Sequence, residues 1–486
     1  MDSHGSRNGL PAARNRAAAA GLRGEFPCAG LRSAGGFRLH RTHSSSREAG
    51  SGTDRGGRAM IRQLKDALVV LYCMLLCACV TPIEAGGPVT HFRSGLWWDG
   101  SRFVAGDRFV RDGRFVGVDR ATRTIDLEGA FVVPPLADGH AHGFDTPELA
   151  RSDAAEWLRD GIFTVLSLGG PVAELQTARG ALEGGAPTVL FAGAMVTSPG
   201  GHPIPYYEAL AMGLNWWRAT QAERERIRGS RLLEGNVYFA LGSIADARAR
   251  WAEIRGTNPD LIKIILDGDN GLATEVAIEV ARLAHADGLK MVAHVQTAAD
   301  VETALMAGAD LLAHAPDYDR IADPLPPQLL AKIAARGIPV VPTFAREMAM
   351  ERWAPPSSRR NEKQIAALQA SHRARLQAMH AAGIALVPGA DLNGLTALDE
   401  LAYWQGIGAF DGSTLLALAT SGTLEIWAGL DKPCGLSVGC PADFVVIRKN
   451  PAEDIAVFQQ WSDIYKSGIP VNLGILGGDP SATGKE

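Results

Sequence analysis

The chain is poor in cysteine, its apolar runs are short, and residues 1–59 contain no lysine at all. Each shortage removes a class of explanation. Only six cysteines occur in 486 residues: Cys28, Cys73, Cys77 and Cys79 lie near the start, and the rest of the chain has only Cys434 and Cys440. That is too few for a disulfide-framed scaffold, and none stands near a histidine cluster where it could complete a metal site. Cys434 and Cys440 lie six positions apart in "CGLSVGC"; they could be bridged in an exported protein or remain two half-buried thiols. The apolar run Ala67–Ala78 has 12 residues, short of the roughly 20 that a membrane-spanning helix needs. No glycine-rich dinucleotide turn follows an early strand, which argues against a doubly wound nucleotide-binding sheet. There is no internal repeat and no coiled-coil heptad.

Charge is unevenly spread. The formal net charge is -5, yet residues 1–59 hold ten arginines against four acids, a balance of +6, which leaves -11 for the remainder. An acidic body argues against a nucleic-acid partner. The arginine-, glycine- and serine-rich start has almost no apolar periodicity and reads as disordered, as a transit peptide, or as an upstream extension that is not translated. From Met60, "MIRQLKDALVVLYCMLLCACVTP" has the layout of a secretory signal over 60–78: Arg62 and Lys65 first, then the apolar run. Its end, Leu76-Cys77-Ala78-Cys79, resembles the lipobox of bacterial lipoproteins. The expectation is an exported protein of the periplasm or cell envelope whose mature form starts at Cys79, with that cysteine available for a lipid anchor.

With 46% hydrophobic and 21% charged residues, the rest can bury a large core. Two rhythms divide it. Residues 86–130 show short apolar stretches broken by Asp-Gly and Ala-Gly, which are hairpin signals. From Phe131 the pattern changes to short apolar strands alternating with amphipathic segments such as "GLATEVAIEVARLAHADG". Eight such units across 131–419 are the expectation for an α/β fold of the (β/α)8, TIM-like barrel type. Residues 420–475 return to strands, which should join those of 86–130 in a small flanking β-sandwich built from both ends of the chain.

The expected strand ends carry the chemistry. "PLADGHAHGF" closes the first with His140 and His142 one residue apart, and side chains at i and i+2 of a strand share a face. Two imidazoles aimed at one point suit a metal ion. Lys263 lies inside "LIKIIL", where a buried ammonium is expensive unless paired or altered. His294 and His314 fall near the ends of the fifth and sixth strands, and Asp391 ends the eighth, "IALVPGAD". His285, His372 and His380 fall on expected helices and read as surface or packing residues. As a favoured N-cap residue, Asp391 is equally suited to cap a following helix.

His140, His142, Lys263, His294, His314 and Asp391, in that order, resemble the ligand set of the metal-dependent amidohydrolase superfamily, in its imidazolonepropionase- and prolidase-related branch. The resemblance covers about residues 90–460. It implies two divalent metal ions, usually zinc, with His140, His142 and Asp391 on one and His294 and His314 on the other. The matching lysine is carboxylated by CO2 in that family, so Lys263 would carry a carbamate that joins the metals. The segment "SPGGHP" at 198–203 resembles a Gly-Gly-His stretch of prolidase-like members, which makes His202 a candidate for polarising substrate. Two segments depart from the pattern: "TSGTLEIWAGL" stands where an Asn-Pro-Ala helix is usual, and "LDGDNG" follows the lysine strand.

The implied reaction is hydrolysis of a C–N bond in a small-molecule amide, dipeptide or cyclic amide, with a metal-bridging hydroxide as nucleophile. An ester or lactone is the close alternative on the same site; a non-catalytic envelope protein is the more distant one, since all six ligand positions are filled. Asp391 would also shuttle the proton to the leaving nitrogen. The long aromatic segment 198–219 suggests Tyr206 as a substrate contact, and Arg346, just after the seventh strand, suggests a carboxylate anchor. Oligomeric state is left open by the sequence.

Overall fold

The computed structural model describes residues 87–182, 187–267, 270–316, 321, 325–354 and 357–471. The expected upstream extension, the signal at 60–78, Cys79 and the last residues of the 420–475 segment lie outside them. Among the described residues no helix is long and apolar enough to cross a membrane.

The fold is mixed α/β. Five strands come first: β1 (Thr90–Trp98), β2 (Phe103–Arg111), β3 (Arg114–Val116), β4 (Arg123–Asp126) and β5 (Phe131–Val133). The β2–β3 link is a two-residue hairpin in which Asp112 and Gly113 take φ of 50° and 75°, the conformation that makes Asp-Gly a preferred hairpin pair. Next come β6 (Leu136–Ala141), β7 (Ile162–Ser167), β8 (Thr188–Phe191), β9 (Met195–Thr197), β10 (Tyr238–Ala240), β11 (Leu261–Leu266), β12 (Lys290–Val295), β13 (Leu311–Ala313) and β14 (Val340–Val341), with helices between most of them. The chain ends on β15 (Phe444–Ile447), β16 (Trp461–Lys466) and β17 (Ile469–Pro470).

The two ends meet as expected, but in one eight-stranded sheet, β17-β16-β15-β5-β1-β2-β3 with β4 on β1, rather than as two stacked sheets. The junction is β5, which pairs with β1 on one side and β15 on the other. Phe131–Val133 therefore belongs to this sheet and does not start the first barrel unit. Pro134 and Pro135, which cannot donate to a ladder, separate it from β6, the strand that leads to the histidines. Alternation along β15 divides its side chains. Phe444 and Val446 enter a cluster with Phe92, Trp97, Phe115 and Tyr465, while Val445 and Ile447 join the main core. Cys434 and Cys440 are joined as a disulfide, with their Cα atoms 5.4 Å apart.

The expected barrel strands lie in two parallel sheets, β6-β7-β8 and β10-β9-β11-β12-β13-β14, not in one closed ladder. Tyr238–Ala240 is an extra strand that the sequence reading lacked. The eighth expected strand, 384–391, makes only an isolated parallel bridge, Val340 with Leu386, because "VPGA" interrupts its extended run. It is still tied on both sides: Val387 N donates to Val340 O, Gly139 N to Pro388 O and Asp391 N to His140 O, at 2.8–2.9 Å. Side chains from both sheets, including Leu166, Leu261, Val292, Leu311, Val341 and Val387, meet in one interior cluster.

Helices cover the outer face. In the helix Thr274–Ala286, Val276, Ala277, Val280, Ala281 and Ala284 are buried, a stripe at helical spacing. The helix Ala298–Ala307 starts in a capping box between Thr297 and Asp300 and stops at Gly308, whose φ is 82°.

Gly389 lies where the eighth segment crosses the start of the site. A Cβ there would stand 2.6 Å from His140 N and 2.7 Å from Val341 Cγ1. Gly389→Ala should therefore destabilise the protein by about 1–3 kcal/mol, the usual scale for overpacking, read as a lower urea midpoint with an unchanged m value.

Candidate active site

Backbone irregularity delivers the site residues. In β11, Ile262, Ile264 and Leu266 face the outer core and Leu261 the interior, so alternation sends Lys263 inward. In β12, Val292 is interior, and His294 follows two residues on. The other candidate residues lie at departures from regular strand geometry. The β6–β7 register shifts between Asp138 and Ala141, just before His142. His314 has φ of 77° and Asp391 φ of 50°; strained left-handed residues of this kind cost roughly 1–3 kcal/mol each and collect at functional sites.

The expected residues are brought together. His140 Nε2 and His142 Nε2 lie 3.0 and 2.9 Å from Asp391 Oδ1, and His314 Nε2 lies 3.7 Å from Oδ2. The His140 and His314 rings are 4.8 Å apart between centroids, His314 and His294 4.5 Å, and His294 and His202 5.0 Å. His142 Nδ1 pairs with Gly169 O at 3.2 Å and His314 Nδ1 with Thr343 Oγ1 at 2.6 Å. Each contact fixes a ring by its second nitrogen and leaves the other aimed at the cluster. Within the cluster, the buried Lys263 Nζ and His140 Nδ1 have no hydrogen-bond partner among the described residues.

Burial sets the charges. Desolvation pulls Lys263 down to about 7, although Asp391 opposes it. It pulls His140 down to about 3, and His294 and His314 well below the usual imidazole value. Burial works against ionising Asp391, but the fields of His140 and Arg346 and hydrogen bonds from His140 and His142 outweigh it and hold the carboxyl well below its usual range. Since His140 is itself neutral at pH 7, the cation that does this is Arg346, whose Nε lies 3.1 Å from Asp391 Oδ2. Asp391 caps no helix: the next one, Ala397–Gly406, is capped by Thr396.

His140, His142 and Asp391 place one donor atom each within 4.8 Å of one another. Two imidazoles and a carboxylate suit a zinc, manganese, iron or cobalt ion. The unpartnered Lys263 amine fits carboxylation as well, since burial favours the neutral form that attacks CO2.

The substrate candidates fall differently. His202 is exposed to solvent, although the groups packed around its ring draw it down to about 4, chiefly by desolvation; its carbonyl accepts from Thr197 Oγ1 at 2.6 Å. Tyr206 is exposed and packs on Trp217 and Tyr207. Its neighbour Tyr207 stands nearer the cluster: burial, with the charges of Asp145, Tyr206 and Asp391, pushes its hydroxyl up. Arg346 is engaged with Glu347 at 2.7 Å and with Asp391.

Sequence reasoning missed the supports. Asp138, fully buried and pushed up to about 7 by desolvation, accepts from His140 N, Trp157 Nε1 and Ala397 N at 2.9–3.2 Å. Its only signal was an acid inside the apolar run before the histidines. Thr343 and Tyr207 gave none.

Lys263 gives a signed pH effect. Between about 7, its folded value, and 10.5, its ordinary one, the unfolded chain holds a proton that the folded chain does not. Stability therefore rises with pH across that window. Metal-free protein should gain on the order of a few kcal/mol from pH 7 to pH 10 relative to Lys263→Met, measured by denaturant unfolding of both at each pH.

The comparisons with known proteins agree with this geometry. No curated protein matches the sequence significantly. Among solved structures, an ochratoxinase of A. niger has 19% identity and a TM-score of 0.62, covering 79% of this chain and 96% of that one. A Xaa-Pro dipeptidase with bound methionine in its active site has 17% identity and a TM-score of 0.62 over 79% of this chain and all of the other, at 100%. Molinate hydrolase has 18% identity and a TM-score of 0.61, covering 82% and 98%. At these identities the likeness speaks for the fold. The amidohydrolase family profile spans residues 131–468, most of the described chain and all six cluster residues, and so the chain belongs to the amidohydrolase family.

Proposed function

We propose that this amidohydrolase is a metal-dependent enzyme that cleaves the C–N bond of a small amide, dipeptide or cyclic amide. The observation that carries the reading is the convergence of His140, His142 and Asp391 within 4.8 Å beside the buried, unpartnered amine of Lys263. The Xaa-Pro dipeptidase among the structural neighbours supports the substrate class. In this reading His140, His142 and Asp391 would hold one ion, zinc by preference, and His294 and His314 a second, with carboxylated Lys263 as a further ligand. When bound, the ions polarise the scissile carbonyl and make a water acidic enough to deprotonate near neutral pH.

The chain's own residues do the rest. Asp391, ionised, accepts the proton of the attacking water and passes it to the leaving nitrogen, which departs poorly as an anion. His202, neutral at pH 7, donates a hydrogen bond to the carbonyl oxygen. Arg346 orients the Asp391 carboxylate through Nε, and its positive charge makes it the candidate anchor for a substrate carboxylate. Neutral His294 and His314 keep lone pairs available, which protonation would remove.

We also read the two parallel sheets as one TIM-like barrel, supported by the hydrogen bonds that tie 385–391 to β14 and β6, and the end sheet as a small sandwich-like lobe. Export, with a lipid anchor on Cys79, is supported by the disulfide, which oxidising compartments favour. Intact-mass measurement of native protein should find an acylated N-terminus at Cys79.

Metal analysis joined to a panel of N-acyl amino acids, dipeptides and lactones tests the function. Two ions per chain and turnover of an amide are expected; turnover confined to lactones would reassign the site to ester chemistry. Asp391→Asn should lower kcat at least about 100-fold with folding intact. Lys263→Ala should lose most bound metal and activity, with partial recovery on adding a small carboxylate such as formate or acetate; full activity with a single ion would point to a mononuclear enzyme.

A further inference from the structure

Thr343 is the most unusual residue beside the cluster. It precedes the helix Phe344–Trp353 in the N-cap position, yet its side chain caps nothing, and its backbone is left-handed, with φ 58° and ψ 34°. A β-branched residue avoids that region. Its hydroxyl is committed elsewhere, to His314 Nδ1 at 2.6 Å. The helix N-terminus is capped instead by a carboxylate from another helix. Glu400, on Ala397–Gly406 and fully buried, accepts from Phe344 N at 2.9 Å with Oε1 and from Ala345 N at 2.5 Å with Oε2. Trp404 Nε1 donates to Oε1 at 2.7 Å and fixes the carboxylate from behind.

We propose that Glu400 is a positioning residue: by taking over the cap, it frees Thr343 to hold His314 at the metal cluster. The first amides of a helix need acceptors, and a threonine at the cap would ordinarily offer its hydroxyl. A hydroxyl can donate to an imidazole and accept from an amide at once, but the left-handed backbone of Thr343 turns its side chain to His314 Nδ1 and it makes no cap hydrogen bond, so the amides need another acceptor. Glu400 supplies both of its oxygens to the amides. The turn is then held in a conformation that threonine would not adopt alone, and its hydroxyl points at Nδ1. With Nδ1 engaged, Nε2 of His314 faces Asp391. The same clamp fixes the start of the helix that carries Arg346, so one remote carboxylate orients two groups around Asp391.

This rests on the metal-dependent reading for its consequence but not for its geometry, and the test separates the two. The geometric arm uses protein labelled with 15N-histidine and free of metal, at fixed pH, with the His314 side-chain signals assigned by His314→Gln. Glu400→Gln turns one acceptor into a donor facing an amide, so the His314 Nδ1 signal should shift or broaden. Trp404→Phe removes a different partner of the same carboxylate and should leave that signal in place while lowering Tm. Should Glu400→Gln fail to fold, Thr343→Val removes the hydroxyl directly and should move the Nδ1 signal, and Thr343→Ser should restore it. The second arm titrates zinc against a chelator, with about a 10- to 100-fold loss of affinity expected for Glu400→Gln and for Thr343→Val, the scale typical of supports behind metal ligands. An unchanged Nδ1 signal in Thr343→Val, or a Glu400→Gln variant that loses only Tm as Trp404→Phe does, overturns the proposal. A wild type that binds no zinc overturns the metal reading, while the NMR arm still decides the role of Glu400.

Discussion

Water exclusion is the constraint on which the rest depends. Lys263, His140, His294, His314 and Asp391 are all drawn out of solvent into one place, and each must resolve its charge there. The three imidazoles and the amine do so by giving up protons. Asp391 does the opposite and stays ionised, because a permanent cation and two ring donors face it. The result is one fixed negative charge among neutral nitrogen donors, which is the charge state that a divalent cation requires of its ligands. The same residues in water would be protonated amine and partly protonated imidazoles, and would repel a cation.

The fold meets this constraint with irregular backbone at the points where regular strands would fail. A regular strand sends alternate residues inward, which suffices for Lys263 and His294. It does not account for His314 or Asp391, and the pair His140 and His142 straddles the end of its strand. Those rely on a register shift and on positive φ, and each irregularity is held by named contacts: Asp138 on His140 N, the 385–391 segment on β6, and Thr343 on His314.

What could be read in advance follows the same division. The six cluster residues were legible because histidine, lysine and aspartate at the ends of apolar runs are costly and therefore conspicuous, and the alternating β and α rhythm was legible as period. Asp138, Thr343 and Glu400 were not, because an acid or a threonine has no sequence signal for which distant amide it will meet; Glu400 sits on an ordinary-looking helix more than fifty residues from the amides it serves. The end strands were expected together and pair in one hydrogen-bonded sheet; their layering was not legible, since composition cannot tell two stacked sheets from one sheet that presents Phe444 and Val446 to one side and Val445 and Ile447 to the other. Tyr206 and Tyr207 differ only in helical phase, and it is Tyr207 that stands nearer the cluster.

That double-faced β15 has a bearing on how the protein is made. β5, whose end leads through two prolines into the strand of His140, finds its second neighbour only in β15, near the far end of the chain. During synthesis from the N-terminus, β5 must wait, unpaired on that side, until β15 has emerged. Closing so long a loop is slow, though its entropic penalty grows only weakly with length. Pairing of β5 on both sides is thereby coupled to the emergence of β15: a product lacking β15 would keep all six cluster residues in its sequence and still leave one edge of β5 unpaired.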